Sequence, residues 1–443
     1  MGKKVFIETY GCQMNTADSE MIATILRQNS YDLVSTHKDA DVILINTCSI
    51  RDNAEQRIYN RIAQLQHLRK KKKHLKIGVI GCMAERVGEL LFEKEGFVNF
   101  LAGPDSYRNI SDVIEESENK RITDLVLSHI ESYEDIVPQK LLESGVSAFV
   151  PITRGCENFC TYCVVPYTRG RERSRSLDSI KTEIASHVES GIKEIILLGQ
   201  NVNSYRHESQ EKLEDFPDIL GQLAEDFPNT RFRFSTSHPK DISDKLLHVI
   251  ADHSNICRSV HLPMQSGSSE VLKRMNRKYT REWYLERIDA IRRIIPDCTI
   301  SSDIIIGFCG ETEDDFQQTL STMKQAQFFY SFMFKYSERS GTVAAKSLKD
   351  DVSEEVKTRR LTETIKFQQK LSLQCNVNDK GKIFEVLVED VSKRNKNELM
   401  GRTSQNKVVI FEANILDYPS GSFVNVEITE FSSATLHGKI VEI

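Results

Sequence analysis

The order in which apolar runs and helix-like stretches follow one another limits the possible folds more than any other feature of the chain. Residues 5–9 (VFIET), 41–47 (DVILINT), 77–80 (IGVI) and 97–102 (FVNFLA) are short apolar runs that read as buried strands. After the first comes MNTADSEMIATILRQNS (14–30), a helical pattern that Asn15 or Thr16 can cap, with Asp18 and Glu20 in its first turn. SIRDNAEQRIYNRIAQLQHL (49–68) and AERVGELLFEKEG (84–96) follow the second and third runs in the same way. Strands separated by helices of this length pair in parallel, because each crossover must return to the end of the sheet where it began.

The theme resumes at residues 147–336, where AFVPIT, EIILLG, RFRFST, SVHLPM, ISSDIIIG and YSFMFKY are six further strand candidates with helical segments between them. Six βα units fall short of the eight that close a full barrel, so an open, partial (βα)6 barrel is expected. Its site should lie at the carboxyl ends of the strands. Residues 352–374 read as one long polar helix leaving the barrel. From there the pattern becomes short β runs separated by turn residues, which fits a small all-β barrel. A chain of 443 residues is too long for one core, and the expected division is 1–145 (parallel α/β), 146–375 (partial barrel and exit helix) and 376–443 (β-barrel).

No apolar run is long enough to span a bilayer, and MGKKVFIETYGC lacks the pattern of a secretory signal, so a cytoplasmic protein is expected. In that compartment ten cysteines read as metal ligands or redox groups rather than disulfides. Cys12, Cys48 and Cys82 each follow a strand candidate and precede a helix candidate. A parallel sheet therefore brings all three to its carboxyl edge, where helix N-termini favour thiolate. Cys156, Cys160 and Cys163 form C-x3-C-x2-C directly after the first barrel strand. This spacing matches neither the paired elements of a structural zinc site nor a bacterial ferredoxin run. Three thiolates on a cubane leave one iron free for a substrate's amino and carboxylate groups.

The stretches ETYGCQMN, INTCSIR, GCMAER, RGCENFCTYCVVPYTRGRERSR, LLGQNVNSY, TSHP, LPMQSGS and SSDIIIGFCGETE, with the terminal β segment, carry a resemblance that covers essentially the whole chain. It resembles the methylthiotransferases of the radical S-adenosylmethionine superfamily, most closely their tRNA adenosine branch, and its terminal segment is similar to a TRAM domain. The resemblance implies two 4Fe–4S clusters: an auxiliary one on Cys12, Cys48 and Cys82, and a radical-generating one on Cys156, Cys160 and Cys163. It implies that one S-adenosylmethionine gives its methyl group to sulfur at the auxiliary cluster and that a second is cleaved reductively to a 5′-deoxyadenosyl radical. The methylthio group then goes to C2 of an N6-dimethylallyladenosine beside the anticodon. A C–H bond of that kind offers neither an acidic proton nor a leaving group, so radical chemistry drawn from a cofactor suits it. Also implied are a tRNA anticodon stem-loop as partner, a reductant such as flavodoxin or ferredoxin, no membrane contact, and a monomer. The chain departs from the family at Cys309, where proline is common, and in YSERSGTVAA, which lacks the usual prolines.

Gln200, Asn201, Asn203, Ser235, Ser237, Gln265 and Asp303 stand where barrel strands end. They could bind S-adenosylmethionine or the base, or simply serve loops and helix caps. Glu311 reads as a helix-start residue. The net charge of −5 points to no global attraction for nucleic acid, so RNA contact must come from local patches. Arg169, Arg171, Arg173 and Arg175 alternate along the segment after the cysteine loop and suit RNA phosphates, or else pair with acids of the protein itself. In the terminal segment Lys393, Arg394, Lys396, Arg402 and Lys407 are the RNA-binding candidates. The lysine run at 68–76 is another basic patch, or a solvated helix end. Cys257, Cys298, Cys309 and Cys375 read as structural thiols. Competing readings are a related methylthiotransferase, acting on N6-threonylcarbamoyladenosine or on a ribosomal-protein aspartate, and a non-catalytic iron–sulfur or zinc RNA-binding protein.

Overall fold

The computed structural model describes residues 2–49, 52–94, 96–141, 145–208 and 213–442, so the Ile50–Arg51 end of the second cysteine stretch lies outside the described residues. The first unit is a six-stranded, all-parallel sheet. Its strands are β1 (Lys4–Thr9), β2 (Asp32–Leu33), β3 (Val42–Thr47), β4 (Lys76–Gly81), β5 (Phe100–Ala102) and β6 (Ile122–Asp124). β2 and β6 are too short and too polar for the apolar-run criterion, which found the other four.

The strand order is β2-β1-β3-β4-β5-β6. Helix α1 (Gln13–Gln28) packs through Met21, Ile22, Ile25 and Leu26 on one face of the sheet. Helices α2 (Asp52–Lys71) and α3 (Cys82–Val87) pack through Ile58, Ile62, Leu65 and Met83 on the other. The order reverses between β1 and β3, so the crossovers diverge there and open a crevice at the carboxyl edge. The helix start expected at Asn15 or Thr16 is earlier in the structure: Cys12 is the N-cap of α1. Asn15 and Asp18 are instead buried in the first turns, where each meets partners in other parts of the fold.

All six expected barrel strands form, in two parallel three-stranded sheets. One holds β7 (Ser147–Pro151), β10 (Glu194–Leu198) and β13 (Arg231–Phe234). Between β7 and β10 the short antiparallel pair β8 (Thr153–Arg154) and β9 (Arg173–Ser174) flanks the cysteine loop. The hairpin β11 (Arg206–Glu208) and β12 (Leu213–Asp215) follows β10. The other sheet holds β14 (Ser259–His261), β15 (Thr299–Ile306) and β16 (Tyr330–Lys335). A parallel bridge from Phe232 to Ile256 joins the sheets, and no pairing links β7 to β16 among the described residues, so the barrel is open. Ala148, Val150, Ile195 and Leu197 belong to the core under the surrounding helices. The alternate residues Phe149, Ile196 and Leu198 therefore face inward, where Met14 and Ala17 of α1 pack against them. The N-terminal unit thus sits over the inner face of the first two barrel strands.

The exit helix, Glu354–Val377, leads to a closed barrel of β17 (Ile383–Val391), β18 (Glu398–Thr403), β19 (Val408–Glu412), β20 (Phe423–Phe431) and β21 (Leu436–Ile440), in the order β17-β18-β19-β21-β20. Its turn at residues 403–406 docks on the amino ends of the partial barrel's strands. Arg233 donates to the carbonyls of Thr403 (3.3 Å) and Ser404 (3.4 Å), Arg231 to that of Arg402 (3.0 Å), and Thr299 to that of Gln405 (2.6 Å). Glu311 is not at a helix start either. Thr312 caps the following helix, while Glu311 is buried, accepts from the Gly307 N–H, and holds Arg360 of the exit helix at 2.8 Å.

Candidate active site

Cys12, Cys48 and Cys82 follow β1, β3 and β4, so all three lie at the carboxyl edge of the sheet, at or beside the strand-order reversal. Neighbouring backbone closes tightly there. A Cβ on Gly11, at φ +123°, would come within 2.4 Å of the Cys48 Cβ, so this position requires glycine. Hydrogen bonding with Cys48 brings the Cys12 thiol down to about 6, against burial; the Arg169 charge and the N–H groups of Asn15 and Met14 act in the same direction as Cys48. Burial pushes Cys82 upward. Asn15 ties the two loops together by donating to the carbonyls of Tyr10 (3.1 Å) and Thr47 (2.9 Å).

Cys156, Cys160 and Cys163 occupy the loop between β8 and β9. The Cys156 N–H donates to the Gly170 carbonyl (3.1 Å) and the Cys163 N–H to the Cys160 carbonyl (3.0 Å). Burial pushes Cys163 up to about 12. Phe159 (φ 47°), inside this loop, and Thr236 (φ 72°) and Gln265 (φ 67°), past the ends of β13 and β14, adopt left-handed backbone. That conformation is costly for such residues, above all for β-branched Thr236.

The two trios are joined by ion pairs that sequence patterns did not reveal. Asp18 of α1, fully buried, accepts from Arg154 at 2.6 Å and from Arg169 at 2.7 Å. Arg169 also donates through Nε to the Cys82 Sγ at 3.2 Å. Three of the four arginines placed at an RNA surface from sequence therefore face the protein interior. Arg169 pairs with Asp18, Arg173 with Asp105 (3.0 Å), and Arg175 with Glu183 (2.5 Å). The N-terminal unit covers Arg169 and Arg173 and the barrel's own helix covers Arg175, and the buried carboxylates supply the counter-charge. Arg171 alone stays exposed.

The strand-end polar residues divide by what already holds them. Asn201 is buried, donates to Asp241 (2.7 Å) and accepts from the His238 N–H (3.0 Å), so it is a scaffold residue whose amide is occupied on both sides. Gln200 accepts from the Gly155 N–H at 2.5 Å and props the cysteine loop. Ser237 donates to Asn203 (3.2 Å), Ser235 lies 3.5 Å from the Thr236 hydroxyl, and Asp303 lies 3.3 Å from His261. The Nδ2 of Asn203 and the Oε1 of Gln265 are buried without a protein partner, which suits a polar ligand. Asn203 also lines a polar cavity of about 640 Å³ together with Asn158 of the cysteine loop, Glu172 and Lys240.

In the terminal barrel Lys393, Arg394 and Lys396 are exposed in the turn between β17 and β18. Lys407 is not available to RNA: in the turn before β19 it is buried against Asp379, Asn376 at the end of the exit helix and the Phe329 ring. Arg402 is half-buried and paired with Glu389 at 2.9 Å.

Among the described residues no three His, Cys, Asp or Glu side chains are placed to hold a single metal ion. Each trio offers sulfur alone, the soft donor set of iron–sulfur clusters. A buried arginine also touches each trio: Arg169 at Cys82, and Arg277, whose Nη1 lies 3.4 Å from the Cys160 Sγ. Cationic donors aimed at sulfur fit an anionic cluster, so the residues present suit the group that the fold implies.

The cysteine trio in the loop after the first strand of an open βα barrel lies in a segment that matches a superfamily model, and with the full-length relatives below this defines the class: a radical S-adenosylmethionine protein. Residues 150–323 match the model of the Radical SAM superfamily, residues 4–103 that of Uncharacterized protein family UPF0004, and residues 378–441 that of the TRAM domain. Curated relatives match across the full length. The chain is 54% identical to the tRNA-2-methylthio-N(6)-dimethylallyladenosine synthase of Parabacteroides distasonis, over 99% of this chain and 96% of that one. It is 53% identical to the protein of the same name from Phocaeicola vulgatus, with the same coverage. The chain belongs to the tRNA-2-methylthio-N(6)-dimethylallyladenosine synthase family. Among solved structures, the radical S-adenosylmethionine methyltransferase TsrM from Kitasatospora setae shares the fold at 12% identity, with a TM-score of 0.57 over 75% of this chain and 73% of that one. The cobalamin-dependent S-adenosylmethionine radical enzyme OxsB does so at 13% identity, with a TM-score of 0.54 over 83% of this chain and 56% of that one.

Proposed function

We propose that this chain adds a methylthio group to C2 of N6-dimethylallyladenosine beside the anticodon of tRNA. The observation that carries the reading is that Arg169, which follows the second cysteine trio, reaches Asp18 and Cys82 of the first, in a chain more than half identical to synthases of that name along its whole length. When bound, the two clusters supply reductive cleavage of S-adenosylmethionine at Cys156, Cys160 and Cys163 and a sulfur source at Cys12, Cys48 and Cys82. The chain's own groups do the positioning. Asn15 and Gly11 hold the Cys12 and Cys48 loops together, and Gln200 fixes the start of the second cysteine loop. Asn203 and Gln265 offer unused polar atoms to a ligand, and Met14 and Ala17 pack α1 over β7 and β10, which seats the Cys12 loop on the barrel. Among the described residues no helix is long and apolar enough to cross a membrane.

Nucleoside mass spectrometry of tRNA from a deletion strain tests the substrate. The 2-methylthio nucleoside disappears, N6-dimethylallyladenosine accumulates, and the plasmid-borne gene reverses both changes. Accumulation of N6-threonylcarbamoyladenosine in its place would refute the assignment.

The RNA surface includes Arg171 and the turn at Lys393, Arg394 and Lys396. Replacing those three lysine and arginine residues of the turn by alanine weakens tRNA binding. It also flattens the salt dependence by about one unit of log–log slope for each phosphate that is no longer neutralised. Filter binding at several salt concentrations measures this, and Arg402→Ala, with its Glu389 partner already in place, changes the slope little.

A further inference from the structure

Arg277 differs from every other deeply buried arginine around the site. Arg154 and Arg169 share Asp18, Arg173 has Asp105, Arg175 has Glu183, and Arg233 has Glu194. Arg277 is 8% exposed, and its three nitrogens go to the Tyr279 hydroxyl (3.1 Å), the Pro263 carbonyl (3.0 Å) and the Cys160 Sγ (3.4 Å). Its guanidinium also lies over the Tyr279 ring, 5.2 Å from the centroid. No carboxylate of the described residues lies within ion-pair distance of it. A guanidinium cannot shed its proton, and burying one without an anion costs several kcal/mol. The negative charge that would balance it is therefore that of the neighbouring cysteine thiolates.

We propose that Arg277 is the counter-ion of the cluster on Cys156, Cys160 and Cys163 and makes that cluster easier to reduce. Reduction adds one electron, taken from an external one-electron donor, and one unit of negative charge to the cluster. A fixed cation hydrogen-bonded to a ligand sulfur in a dry site stabilises the more negative state most. Arg169 makes the corresponding contact to Cys82 but shares its charge with Asp18. Arg277 acts through Cys160 and is a positioning residue rather than a catalytic one.

The proposal rests on the two-cluster reading above, and the test separates the two. The full chain carrying Cys12→Ala, Cys48→Ala and Cys82→Ala is loaded with iron and sulfide. It is then titrated with titanium(III) citrate under EPR detection, without S-adenosylmethionine. Arg277→Gln in this background is expected to keep its iron while the equilibrium constant for reduction falls at least tenfold, a midpoint about 59 mV more negative. Arg277→Lys, which keeps the charge, is expected to recover most of the shift. An unchanged midpoint in Arg277→Gln overturns the proposal, and with weakened S-adenosylmethionine binding it assigns the ligand's carboxylate as the anion instead. If Arg277→Gln loses its iron or its fold, the lysine variant decides. Iron and midpoint retained with lysine support a charge role, whereas their loss there too shows that only the contacts to Pro263 and Tyr279 matter, which also overturns it. Failure of the parent background to take up iron would strike the two-cluster reading and not Arg277.

Discussion

Cys12→Ala is expected to abolish methylthio transfer while leaving cleavage of S-adenosylmethionine to 5′-deoxyadenosine intact. The reason is the separation of the two trios. Cys12 caps α1 in the N-terminal sheet, whereas Cys156, Cys160 and Cys163 hang from the loop between β8 and β9. Removing Cys12 takes one of three thiolates from the crevice between β1 and β3 and leaves the second loop as it was. The iron content should fall from about eight to about four atoms per chain, the difference of one cubane. Iron analysis, with quantitation of 5′-deoxyadenosine and of the methylthiolated nucleoside in one assay, checks all three expectations. Normal methylthio transfer by this variant would mean that the assignment of the first trio is wrong.

Asp18→Asn should loosen the junction between the N-terminal unit and the barrel by about 3–5 kcal/mol, the usual cost of stranding buried charges. The carboxylate is fully buried and is the shared anion of two buried guanidinium groups, so its loss leaves Arg154 and Arg169 competing for a neutral amide. The same change frees Arg169 from the geometry in which it touches Cys82, so the first cluster should become labile as well. Burial alone would raise the Asp18 carboxyl, but Arg169 and then Arg154 hold it below its ordinary value of 3.8. A depressed folded-state value gives a contribution that is complete above the unfolded value and lost as pH falls through the folded one. Wild-type stability should therefore decline below about pH 4 more steeply than that of Asp18→Asn. Hydrogen exchange on α1, with denaturation followed from pH 3 to 7, measures both effects. Equal stability of the two proteins at pH 7 would show that the network holds nothing together.

The fold was largely legible because short apolar runs alternating with helical patterns are a local signal. β1, β3, β4, all six barrel strands and the exit helix could be read from periodicity, as could the closing β segment. The two- and three-residue strands β2 and β6 could not, since their pairing comes from neighbours rather than from their own composition. The position of the cysteines was also legible: Cys12, Cys48 and Cys82 share the carboxyl edge of one parallel sheet, and the C-x3-C-x2-C run follows the first barrel strand.

Which of the two readings holds for the arginines is not legible in the sequence, for a physical reason. A guanidinium in a loop has the same sequence signature whether it meets a phosphate or a carboxylate of its own chain. Asp18, Asp105 and Glu183 lie outside the arginine segment, and nothing local announces them. Asp18 looked like an ordinary first-turn acid, and Arg277, in MNRKYT, carried no signal at all. Lys407 was misplaced in the same way, because the docking of the terminal barrel against the exit helix and the amino ends of the strands decides which of its cations meet water.

Covalent order was thus enough to reveal the strand–helix succession and the placing of cysteines after parallel strands, and the resemblance carried by its motifs was enough to point to the family. Which charges are buried, which arginine contacts which cysteine, and which cations stay exposed were decided only when separate units packed together. Burial and ion pairing depend on the distance between residues that lie far apart along the chain, and periodicity carries no information about that distance.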